Sequence, residues 1–153
     1  MTTATAAGTT AAAPARVRER IARAVVVVGL AVDAYVHLSM APVMDLAAPD
    51  GIGGGNLFRL QGGAAAAVAV LLLVLPRRWT YLLSVLVGLS ALVPVLLYHF
   101  VDVPPIGPVP RLYDPLWSAE KVATIVGATL VVGFGLWGAR LVRHRPGPGR
   151  RQL

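Results

Sequence analysis

The chain has 153 residues, 56% of them apolar and only 14% charged, with a mean hydropathy of +0.69, far past the near-even balance of a soluble domain. It has no cysteine, which excludes disulfides, thiolate metal sites, cysteine nucleophiles and dithiol redox chemistry. The net charge of +7 is carried by residues at the ends of apolar blocks and forms no basic domain, so it reads as a topology signal, and nucleic acid is not an expected partner.

Residues 1–20 are expected to be a basic, disordered tail, since the first fifteen are uncharged Thr, Ala, Gly and Pro with little to bury. Arg16, Arg18, Arg20 and Arg23 flank the first apolar run. A cleaved signal peptide is one reading of such a start. The strictly apolar core over 24–32 is short, however, Asp33 closes it, and apolar character resumes without a clear cleavage site, so a retained helix over 21–44 is preferred. Pro49, Asp50, Gly51, Gly53, Gly54 and Gly55 mark 45–56 as a loop. A second helix over 57–75 ends at Pro76, Arg77 and Arg78, and a third over 79–101 opens on Trp79 and Tyr81, aromatics suited to a membrane interface. Pro104, Pro105, Pro108 and Pro110 make 102–114 a rigid loop outside the hydrocarbon. A fourth helix is expected over 115–139, with Trp117 near its start, and 140–153 is a basic tail.

The fold class that follows is all-α: one antiparallel bundle of four transmembrane helices. Arginines flank the N-terminal end, the turn at 77–78 and the C-terminal tail, whereas the 45–56 loop has no Lys or Arg and the loop before the fourth helix has only Arg111. The positive-inside rule then places both termini in the cytoplasm and the two longer loops outside the plasma membrane. Small residues mark the expected close approaches: Gly62, Ala66 and Val70 with Gly63 and Ala67 on the second helix, Ser84 and Gly88 on the third, and Ala119, Ala123 and Gly127 on the fourth. Pro94 predicts a kink in the third helix.

Chemistry is sought among ionisable groups within the hydrocarbon, because burying one is costly and usually requires a partner. Asp33 follows Arg23 by ten residues, which puts it about 15 Å into a core about 30 Å thick. His37 stacks one turn further on the same face. Arg59 and Gln61 open the second helix, His99 and Asp102 close the third, and Glu120 and Lys121 open the fourth. The sharp expectation is a polar pocket open to the outside, with Asp33 and His37 on its floor and Arg59, Gln61, His99, Glu120 and Lys121 around it. The plainer reading leaves the outer groups solvated and gives Asp33 a packing role.

No cofactor is predicted. A haem between His37 and His99 requires the imidazoles at one level, but helical rise puts them about 21 and 31 Å from their cytoplasmic arginines. A metal held by Asp33, His37, His99 and Glu120 has suitable donors without a compact ligand spacing. No phosphate loop or activated serine motif is present.

The block running from His37 through Asn56, Leu57, Phe58, Arg59, Leu60 and Gln61 into an Ala-rich helix resembles small four-helix membrane proteins of actinobacteria and, more loosely, the DoxX-like group. The abundance of Arg, Ala, Val, Gly and Pro fits translated high-GC genomes of that kind. The resemblance covers roughly residues 25–137. It implies the fold and a plasma-membrane location, and no catalytic residue is carried over. The expected function is a non-enzymatic accessory or interaction component, with the bilayer and a membrane protein or further copies of the chain as partners. A small-solute or proton-linked transporter is the alternative, and a haem- or quinone-linked redox protein comes third.

Overall fold

The structure is a computed structural model that describes residues 12–143. Four helices follow one another, α1 (Ala12–Ala47), α2 (Gly54–Val74), α3 (Arg78–Phe100) and α4 (Ala119–Arg143), with no strand among the described residues. Each is long and apolar enough to cross a membrane. Within the most apolar window of each, only 28–39% of the residues are buried inside the bundle. The rest of that apolar surface faces outward, as with Val28, Val70 and Leu86, and requires lipid as its solvent.

The first helix begins earlier than expected. Residues 12–20, assigned to the tail, are helical, because Ala, Arg and Glu are strong helix formers and Pro14 lies in the first turn, where a missing N–H costs nothing. The remainder of the expected tail, 1–11, lies outside the described residues, as does 144–153. With 36 residues, α1 is about 54 Å long, well beyond the hydrocarbon thickness. The expected loop through residue 56 is also shorter, since Gly54 and Gly55 are helical and buried. They are close-approach positions: a Cβ on Gly55 would lie 2.7 Å from the Ala41 carbonyl oxygen. Only Gly51 and Gly53, at φ 62° and 79°, use glycine's left-handed freedom there. The fourth helix starts four residues late, at Ala119, where the Ser118 hydroxyl accepts the Lys121 backbone N–H at 3.2 Å as a cap.

Around the bundle α1 packs broadly on α2 and α4, and α4 on α3; the α2–α3 seam is the lightest, and α1 and α3 barely touch across the diagonal. Val26, Leu30, Ala65, Leu72, Tyr81 and Val131 form the core. On α2 the buried stripe is Gly62, Ala65, Val68, Ala69 and Leu72. The expected Gly63, Ala66, Ala67 and Val70 face outward instead. Ser84, Gly88 and Gly127 are buried as expected, while Ala119 is exposed. The two loops at the far end from the termini lock together: Ile52 N–H donates to the Pro108 carbonyl at 2.9 Å, and a Cβ on Gly51 would collide with the same oxygen.

Candidate functional site

A cavity of about 550 Å³ lies at this loop end, walled by all four helices and by the segment between α3 and α4. His37, Gln61, His99, Glu120 and Lys121 reach its surface, in a lining that is otherwise mainly apolar. Five of the seven expected residues therefore meet there. Asp33 lies behind the wall, 2% exposed. Arg59 is a correction: it turns away and forms a two-pronged pair with Asp45, at 3.0 and 2.5 Å, with Asn56 as a further acceptor.

Asp33 organises the inner wall. Its Oδ2 accepts from Gln61 Nε2 at 2.9 Å. Its Oδ1 is 2.9 Å from His37 Nδ1, but that N–H is aimed at the Asp33 carbonyl oxygen at 3.0 Å. Oδ1 therefore has the electrostatic contact without a directed hydrogen bond, the only such buried side-chain atom among the described residues. Both atoms facing Nδ1 are acceptors, so Nδ1 carries hydrogen and His37 is left to meet the cavity through Nε2. The ring is further held against Phe58, with centroids 4.9 Å apart.

Gln61 extends the network to a third helix. Its Nε2 also donates to the Val87 carbonyl at 3.1 Å, and its Oε1 accepts from the Ser90 hydroxyl at 2.9 Å. The result is a line of contacts, Ser90 to Gln61 to Asp33 to His37, crossing α3, α2 and α1. Ser90 is not among the residues expected from sequence. Its clue there is Pro94, four residues on, which has no N–H to answer the Ser90 carbonyl.

At the outer wall Lys121 is fully engaged. Its Nζ donates to the carbonyls of Asp114 at 2.6 Å and Leu116 at 2.5 Å, and pairs with Asp114 Oδ2 at 3.0 Å. His99 Nδ1 lies 3.5 Å from the same Nζ, at the outer limit of hydrogen-bonding distance. Trp117 and Phe100 pack on that ring, at centroid distances of 4.1 and 4.6 Å. Burial pushes the Asp114 carboxyl up, but hydrogen bonds from Lys121 and the Leu116 N–H, with the nearby positive charge, outweigh it and hold the group below the usual carboxylate value. Arg111 is raised, chiefly by hydrogen bonding to Asp102. Lys121 and Arg111 thus clip the loop, and with Arg59 held by Asp45 no ammonium or guanidinium among the described residues of this end is free to bind cargo.

The four donors considered for a metal do not gather: among the described residues no group of three or more His, Asp or Glu could hold an ion. His37 and His99 do share the cavity despite their different helical heights. A second buried acid has no counterpart among the sequence expectations. Glu19, at the opposite end, accepts from Tyr81 OH at 2.9 Å and lies 3.9 Å from Arg23 Nε. No family model, curated protein or solved structure matches this chain.

Proposed function

We propose that the chain is a multi-pass plasma-membrane protein, of the small actinobacterial type it resembles, that serves as a binding and accessory component by holding a small, largely apolar molecule in the cavity. The observation that carries this is the fixed imidazole of His37, backed by the buried Asp33 and presented to a cavity whose lining is mainly apolar with a few polar groups. Volumes of about 300–1,000 Å³ with a few placed polar groups are typical of small-molecule sites. Access is lateral, from the bilayer: Leu60 on α2 lines the cavity while 71% exposed, and α2 packs only lightly on α3. Protein released from its own membranes is expected to carry a discrete non-covalent mass in native mass spectrometry. That mass should vanish in Ala64→Trp, which fills the cavity, while the melting temperature is kept. A wild-type protein that emerges without any bound mass would overturn this reading.

A second reading, proton-linked transport, draws support from Asp33 and His37, two ionisable groups in contact within the span and tied through Gln61 and Ser90 to two further helices. Both readings place the termini in the cytoplasm and the cavity toward the outside. The chain lacks cysteine, so single cysteines give a clean check. Ile106→Cys is expected to react with a membrane-impermeant maleimide on intact cells and Arg143→Cys only after permeabilisation; the reverse pattern would invert the topology.

A further inference from the structure

We infer that the cavity selects a lipophilic cation, an apolar body with an ammonium-type head, over neutral and anionic molecules of the same size. The inference rests on the reading of the cavity as a ligand site and adds the charge of its occupant. Six of the chain's seven acidic residues lie at or toward the loop end: Asp33, Asp45, Asp50, Asp102, Asp114 and Glu120. Only Arg59, Arg111 and Lys121 stand against them among the basic residues of that half. Each of the three is committed, to Asp45, Asp102 and Asp114 respectively.

An anionic head entering the cavity would find no cation to pair with, and it would face Glu120 on the lining and Asp33 just behind it. Glu120 has no ion-pair partner among the described residues. The N-terminus of α4 offsets part of its charge, by roughly half an elementary charge at most, so an uncompensated negative potential remains at the cavity edge. Glu120 is exposed, so this potential acts at short range at the cavity mouth and is weakened by salt. The apolar lining suits the body of such a molecule: Met40 and Met44 adapt to its shape, and the rings of Phe58 and Tyr98 offer faces to a positive head.

The test uses three probes that share a ten-carbon chain: decyltrimethylammonium, 1-decanol and decanesulfonate, each radiolabelled and titrated into full-length protein in uncharged-lipid nanodiscs, with binding to empty nanodiscs subtracted. The cation is expected to bind tightest, by about tenfold over the sulfonate, equivalent to about 1.4 kcal/mol. Glu120→Gln should shrink that preference severalfold while the melting temperature of the empty protein is kept, which shows the bundle intact in the variant. Sulfonate or decanol binding as tightly as the cation, or a preference untouched by Glu120→Gln, overturns the inference and leaves the cavity as a ligand site. If none of the three binds above empty nanodiscs, the reading of the cavity as a ligand site falls with it.

Discussion

Gly29→Leu is expected to destabilise the bundle by about 3 kcal/mol or more, an overpacking effect at the upper end of what such changes cost, whereas Gly63→Leu should leave it unchanged. In a bilayer, apolar side chains gain little by leaving lipid for one another, so helix association depends on how closely backbones approach. At the α1–α4 crossing that approach is reciprocal. A Cβ on Gly29 would lie 2.9 Å from the Gly127 carbonyl oxygen and 2.6 Å from Val131 Cγ2, and one on Gly127 would lie 3.4 Å from the Gly29 carbonyl. Two glycines that each meet the other's carbonyl suit Cα–H to oxygen contacts, which a side chain would pry apart. Because the obstruction at Gly29 includes backbone, a rotamer change cannot relieve it. A Cβ on Gly63 would meet nothing within 4 Å, and the residue faces outward, so a leucine there enters lipid. Resistance to unfolding by a denaturing detergent, read by far-UV circular dichroism, separates the two. Equal loss in both variants would show that the cost comes from helix propensity or insertion and has nothing to do with the α1–α4 contact.

The same glycines show where the sequence is legible and where it is not. Four helices can be read because each apolar block exceeds the length that hydrocarbon demands, and the turn at Pro76 to Arg78 and the prolines after Asp102 punctuate them. The buried face of α2 departs from the expected one because strict spacing by four drifts about 40° per step from a period of 3.6. Gly62 starts both stripes, yet the buried one continues through Ala65, Ala69 and Leu72. Arg59 departs for a related reason. It stands two residues from Gln61, about 200° around the helix, so both cannot face one pocket. Asp33 and His37 are legible as a pair, since a separation of four needs only one helix. The bonds from Asp33 to Gln61 and from Gln61 to Ser90 join residues 28 and 29 apart. No local period encodes a contact of that kind. Glu19 gives no signal when the helix is taken to begin after it, because a carboxylate outside a helix has no face to present to Tyr81.

Asp33→Leu is expected to keep or raise thermal stability while weakening retention of the ligand proposed for the cavity severalfold. Every donor that meets the carboxylate has a second acceptor: His37 Nδ1 keeps the residue-33 carbonyl at 3.0 Å, and Gln61 Nε2 keeps the Val87 carbonyl at 3.1 Å. Removing the carboxylate therefore strands no donor completely, and it relieves the cost of a buried acidic group whose Oδ1 lacks a directed bond. An apolar side chain of similar volume in such a place is often neutral or stabilising. Function should respond in the opposite sense. Without the Asp33 side chain, His37 keeps Nδ1 on the residue-33 carbonyl but loses the acidic group 2.9 Å away, and Gln61 loses the acceptor that ties α2 to α1, so the polar wall of the cavity is held less firmly. Asp33→Asn adds a finer test. Its amide can turn an N–H toward His37 Nδ1, where it competes with the residue-33 carbonyl over whether Nδ1 carries hydrogen. Nitrogen-15 chemical shifts of the His37 ring should record the outcome. If instead Asp33→Leu unfolds the bundle by about 3–5 kcal/mol, the cost of breaking a buried ion pair that packing depends on, Asp33 is a structural bolt between α1 and α2, and the site has lost its central residue.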